Sequence, residues 1–112
     1  MSRGDVWWAH LGDPKGSEPV LRRPVLIVGS DSFNRSKIRT VTVAVLTSNV
    51  RLAQAPGNIL VKRRSAGLPS DAVVNVSALV TLDREALSEQ CGRHTAVQMA
   101  RVDDGLRLAL AL

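Results

Sequence analysis

Arg23-Pro24-Val25-Leu26-Ile27-Val28 is the stretch on which the fold turns. An apolar run without polar alternation predicts a strand over 23–29 that is buried on both faces. Pro24 cannot donate to a sheet ladder, so it suits the first turn of that strand and stiffens the backbone of Arg23. Arg23 is thereby fixed at a strand's first position, carrying a permanent charge and a planar fork of donors suited to phosphate oxygens. Five residues before it stands Glu18, in the small polar loop Gly16-Ser17-Glu18. Downstream, Arg39-Thr40-Val41-Thr42-Val43-Ala44-Val45-Leu46-Thr47-Ser48 is β-branched and partly alternating, and predicts a long strand over 39–48.

The remaining elements follow from the same signals. Residues 5–11, bounded by Gly4 and Gly12, read as a first strand. Residues 12–22 hold two glycines and two prolines and read as an irregular loop. Ala55-Pro56-Gly57 breaks the chain before a short strand at 58–62, and Gly67-Leu68-Pro69 marks a loop before a fifth strand at 72–76. Asp83 is placed to cap a short helix running to about Glu89. A second helix begins at Thr95, where Gln98 three residues on completes a capping-box pattern. Met99, Val102, Leu106, Ala109 and Leu110 share one face of it and predict a core-facing stripe. Strands first and helices last give a single α+β domain over residues 1–112.

The chain has 112 residues and a formal net charge of +5, enough for one modest core. No run approaches the ~18 apolar residues of a membrane-spanning helix. The start, Met1-Ser2-Arg3-Gly4-Asp5, lacks a signal-peptide pattern, and the single cysteine, Cys91, suits a reducing compartment. These readings predict a cytoplasmic protein with no membrane contact. Residues 22–64 carry nine basic groups against one acid, Asp31, so this stretch alone is +8. Charge of one sign confined to part of a small domain fits a polyanion-binding surface, and equally fits a solvated face in an arginine-rich chain.

Other enzyme signatures are weak. Gly29-Ser30-Asp31-Ser32 lacks the strand–elbow–helix context of a serine hydrolase. Cys91, His94 and the distant His10 are too dispersed for a metal site, and no phosphate-cradling glycine loop occurs. Asp31 alone cannot build a two-metal nuclease centre, so no metal or other cofactor is expected. RNA supplies its own nucleophile. Its 2′-hydroxyl attacks the adjacent phosphate if one group accepts the proton and another cradles the dianionic transition state. Arg23 is the natural cradle. Glu18, the only glutamate in the first 84 residues, is the candidate general base, and Ser17 can add a hydrogen bond.

The block Arg3-Gly4-Asp5-Val6-Trp7-Trp8, then Gly16-Ser17-Glu18, then Arg23-Pro24-Val25-Leu26-Ile27-Val28, resembles the opening of the MazF/PemK toxin endoribonucleases, and the similarity runs to the end of the chain. The resemblance implies a small, strongly bent antiparallel sheet, SH3-barrel-like as in CcdB and MazF, with a short helix and a C-terminal helix. It implies a homodimer that cuts single-stranded RNA at a short motif, restrained by a cognate antitoxin whose acidic C-terminal tail covers the active site. It also implies that Arg23 is the main catalytic residue, with Thr47 the matching catalytic hydroxyl. Arg35, Lys37, Arg39, Asn49 and Arg51 are then the candidate RNA contacts. The chain departs from the family at Ser77-Ala78-Leu79-Val80, where many members carry glutamine and a basic residue.

Each residue also has an ordinary account. Arg23 and Glu18 can form a surface ion pair, and Thr47 can simply end a strand. Trp7 and Trp8 point to opposite faces of a strand, so at most one is open to a base, and Phe33 is expected in the core. Two other function classes stay open: a CcdB-like toxin that binds gyrase without cutting, although this chain ends Leu108-Ala109-Leu110-Ala111-Leu112 and lacks the tryptophan-bearing tail of that type, and an inactive RNA-binding module.

Overall fold

The computed structural model describes residues 1–12 and 21–112. Six strands form one antiparallel sheet: β1 (Asp5–Leu11), β2 (Leu21–Ile27), β3 (Thr40–Thr47), β4 (Ile59–Val61), β5 (Ala72–Asp83) and β6 (Leu87–Arg93). Their spatial order is β4-β5-β3-β2-β1-β6. Period-two alternation gives this sheet two apolar faces. Val6, Leu26, Ala44, Leu46, Val74 and Val76 point to one, while Ala9, Val25, Ile27, Val41 and Val43 point to the other. β2 is therefore buried on both faces over Val25–Ile27, as the continuous apolar run at 25–28 requires, and β3 at Val43 and Ala44 beside it.

Burying both sides with so few residues forces the sheet to curl into a half-barrel. β5 does most of the bending. Its pairing with β3 jumps from Ala44 opposite Leu79 to Leu46 opposite Val74. The bulged backbone is satisfied locally: Asn75 accepts from the amide and hydroxyl of Ser77, and the Val76 amide donates to Asn58 at 3.0 Å. At the far edge β6 pairs with β1 through two further bulges. There the Cys91 thiol, half-buried, donates to the Val6 carbonyl at 3.3 Å, and burial holds its pKa above the ordinary value.

Two sequence expectations fail here. The strand expected to stop at Val76 runs on to Asp83, and the helix expected over 83–89 does not form. Only a 3-10 turn at Arg84–Ala86 follows Asp83, with no side-chain cap, and Leu87 opens β6. Local helix preference is outweighed by β1 and β3, whose free edges need partners there. Conversely, the short helix α1 (Asp31–Asn34), capped by Ser30, and the one-turn helix α2 (Arg63–Ala66) were not foreseen.

The C-terminal helix α3 (Ala96–Leu110) starts as expected, with a complete Thr95–Gln98 capping box. Its apolar stripe is core only as far as Leu106. Met99, Val102 and Leu106 pack on the first apolar face, but Ala109 and Leu110 lie exposed. Arg3 ties the helix to the sheet, with Nε donating to the Val28 carbonyl at 2.9 Å and a guanidinium nitrogen 2.6 Å from Asp103. The Arg3 amide and Asn34 also donate to Asp31, which holds that carboxyl below its usual pKa.

α3 approaches the sheet where Gly105 faces Gly57, so closely that a Cβ at Gly105 would run into the Gly57 carbonyl. Helix propensity alone would make Gly105→Ala stabilising by ~1 kcal/mol. The close approach reverses the sign. Gly105→Ala should instead cost about 1–3 kcal/mol, read as a fall in melting temperature of roughly 4 °C or more.

His94, between β6 and α3, is buried, and neither ring nitrogen has a hydrogen-bond partner among the described residues. Burial pushes its pKa below 6.5. The unfolded chain then binds the proton first, so His94's effect on stability is nil at high pH and turns unfavourable as pH drops below ~6.5. Thermal melts from pH 7.5 to 5.5 should show falling stability, and His94→Leu should flatten the slope.

Candidate active-site cleft

Arg23 and Thr47 are brought together by strand register. Val25 pairs with Val45 and Ile27 with Val43. Two residues beyond the pair of Val25 with Val45 stand Arg23, near the start of β2, and Thr47, at the end of β3, so the pairing puts both at one end of the sheet. Both are half-buried, at the end of the sheet where β2 begins and β3 ends. The Thr47 hydroxyl accepts the Asn49 amide at 3.2 Å and, as a hydroxyl, also carries a proton that it can donate. Asn49 in turn accepts from the Arg51 amide at 3.3 Å, capping a 3-10 turn at Val50–Gln54 and leaving Arg51 exposed. Asn58 braces that turn by donating to the Leu52 carbonyl at 2.9 Å.

Beside Arg23 the surface opens into a cleft of about 320 Å³, walled by Trp8, Pro24, Leu46, Leu68 and Pro69, with Ser48 and Ser70 lining it. Arg22 lies over the Trp8 ring at 4.4 Å and reaches Glu89 at 3.5 Å. Ser48 and Ser70 also line a second hollow of about 440 Å³ with Arg63 and Asp71, so the two hollows adjoin along these serines. The Arg63 amide donates to Asp71 at 2.9 Å and Lys62 stands 3.6 Å away, which together hold the Asp71 carboxyl below its usual pKa.

The other expected RNA-binding residues lie elsewhere. Arg35, Lys37 and Arg39 sit in the β2–β3 connection, at the opposite end of β3 from Thr47. Seven strand residues separate the two ends, roughly 23 Å. Lys37 and Arg39 flank a hollow of about 380 Å³ with Asp83, Arg84 and Glu85. Arg84 braces this segment by donating to the Phe33 carbonyl at 3.0 Å, and Phe33 itself is 64% exposed rather than in the core. Ser17 and Glu18 fall outside the described residues. Arg23, Thr47, Asn49 and Arg51 thus lie toward one end of the sheet, and Arg35, Lys37 and Arg39 toward the other.

Residues 2–110 match the family described as PemK-like, MazF-like toxins of type II toxin–antitoxin systems. The chain belongs to the PemK/MazF toxin family. It is 47% identical to the endoribonuclease MazF6 of Mycobacterium tuberculosis, over all of this chain and 98% of that one. It is 31% identical to the endoribonuclease EndoA of Bacillus subtilis, over all of this chain and 96% of the relative. A mycobacterial endoribonuclease solved in complex with its cognate antitoxin superposes with a TM-score of 0.79 at 26% identity, covering all of this chain and 96% of that one. The curled sheet with a C-terminal helix is the architecture that the resemblance implied.

Ser48, Ser70 and Arg63 were not singled out from the sequence. Arg63 was visible only as one charge in a basic stretch. Ser48 and Ser70 carry no local pattern, since a 22-residue separation becomes proximity only once β5 is paired with β3 and β4. The Trp7–Trp8 pair was read for orientation, and the two rings do pack on opposite faces, but nothing local told which would border a cleft.

Proposed function

We propose that this protein, a MazF-type endoribonuclease toxin, cleaves single-stranded RNA by internal attack at the lip where Arg23 meets Thr47. The observation that supports this is the β2–β3 pairing, Val25 with Val45, which puts the start of β2 and the end of β3 at one end of the sheet, where Arg23 lines a cleft. The 2′-oxygen bonds to phosphorus and its proton passes to Glu18. Arg23 and Thr47 hold the two non-bridging oxygens as charge builds on them. The bond to the 5′-oxygen breaks, and that oxygen takes a proton from solvent at the exposed lip. The products are a 2′,3′-cyclic phosphate and a 5′-hydroxyl, and no step calls for a metal-bound water. Ser17 adds a hydrogen bond to the phosphate, and Asn49 and Arg51 hold the strand as it leaves.

The working form is a cytoplasmic homodimer. Its partner is an antitoxin whose acidic tail competes with RNA for the basic surface around Arg23. Full-length identity to named endoribonucleases favours this reading over a CcdB-like gyrase binder.

Incubating the protein with a long RNA in EDTA should yield discrete fragments ending in cyclic phosphate. Arg23→Ala should lower cleavage on the order of 10²-fold or more, with melting temperature unchanged. Lysine at that position should rescue poorly, because a point charge replaces a fork. Full activity in Arg23→Ala overturns the mechanism.

The separate cluster generates its own expectation. Neutralising Arg35, Lys37 and Arg39 together should weaken binding of long RNAs while leaving oligonucleotides shorter than about six residues unaffected. Arg51→Ala should weaken both. For every phosphate that goes unneutralised, the salt dependence should flatten by ~0.7 in log–log slope. Binding titrations at several salt concentrations check this.

A further inference from the structure

We infer that the cleft walled by Trp8, Arg22, Ser48 and Ser70 is the seat of one unpaired nucleobase next to the scissile phosphate, and that these residues set the base preference at that position. The inference rests on the nuclease reading and says where part of its selectivity resides.

Size comes first. The cleft holds about 320 Å³, at the small end of the ~300–1,000 Å³ range of small-molecule sites, room for one base and not for a folded peptide segment. Its walls match a base in kind. Trp8, Pro24, Leu46, Leu68 and Pro69 give flat or apolar surface, which a heterocycle covers well. The half-buried Trp8 is fixed from behind by packing on the first apolar face, so the ring is a rigid platform.

Arg22 adds a planar cation stacked 4.4 Å from that ring. Its only carboxylate among the described residues, Glu89, is 71% exposed and 3.5 Å away, a weak tether. The guanidinium can therefore slide aside or cover an entering base, and either arrangement preserves stacking. Ser48 and Ser70 place two hydroxyls at the side of the cleft that opens toward Arg63. They are positioned to bond the polar edge of a base, while Arg23, on the same cleft, keeps the attached phosphate at the reacting lip. A base seated this way buries the edge it uses for pairing, so duplex RNA is excluded.

Two measurements test the assignment. The first sequences the fragment ends from a long transcript cut by the wild type, Ser70→Ala and Arg22→Lys. One position adjoining the cut should lose its base preference in the variants while the others keep theirs. The second uses 2′-O-methyl hexanucleotides, which cannot be cleaved because the attacking hydroxyl is blocked. With Trp7→Phe, fluorescence comes from Trp8 alone, and the hexamer should quench it. With Trp8→Phe the remaining Trp7 should not respond, and hexamer affinity should fall about 10-fold.

Unchanged preference at every position overturns the inference, as does a quench carried by Trp7. Quenching by an acidic, apolar-dotted peptide with none by the hexamers also overturns it, in favour of a peptide site. A wild type that cuts nothing removes the nuclease reading, while the fluorescence titration still decides whether the cleft binds a base.

Discussion

Everything at the active end depends on two central strands that are buried on both sides. Val25 and Ile27 face one apolar cluster and Leu26 the other, and β3 repeats the pattern with Val41 and Val43 against Ala44 and Leu46. A slip of one residue between β2 and β3 would send every one of these to the wrong face, so the register is strongly specified. Arg23 and Thr47 lie two residues beyond the pair of Val25 with Val45, on strands whose register the core fixes. Core packing therefore keeps the start of β2 and the end of β3 together at one end of the sheet.

Sheet curvature does the second job. The bulge in β5, the turn braced by Asn58 and the loop that carries Ser70 bring the end of β3 against the chain that precedes β5. A flat sheet would leave Ser48 and Ser70 on separate ridges. Bending turns them into one wall of a groove, with Arg63 further along it. Charge is then divided between two ends of the molecule. Arg22, Arg23, Arg51 and Arg63 stand near the groove, and Arg35, Lys37 and Arg39 lie at the far end of β3.

Legibility in the sequence followed how local each signal was. The first strand, the third and the Thr95–Gln98 helix start were readable because alternation and capping are properties of a few adjacent residues. Arg23 and Thr47 could be put forward only because a family pattern surrounds them. β6 and the second half of β5 were not: Asp83-Arg84-Glu85-Ala86-Leu87-Ser88-Glu89 has a plausible helix cap and good helix formers, and only edges on distant strands make it extended. The exposure of Leu110 was hidden for a related reason, since helical periodicity continues past the point where the sheet beneath α3 ends. Ser48 and Ser70 show the limit most plainly. What makes them candidates is a shared cleft, and a cleft has no spacing in sequence.

The lone sulfhydryl has an experimental corollary. Cys91 lies in β6 against β1, half-buried, with its proton turned toward the Val6 carbonyl and its ionisation suppressed by burial. Thiolate is the form that oxidises, so this group reacts sluggishly with air or with a neighbouring molecule. Preparations handled without reductant should therefore stay free of cross-linked species. Any two-chain particle seen by light scattering is then an association through packed surfaces, whose population tracks dilution instead of storage time.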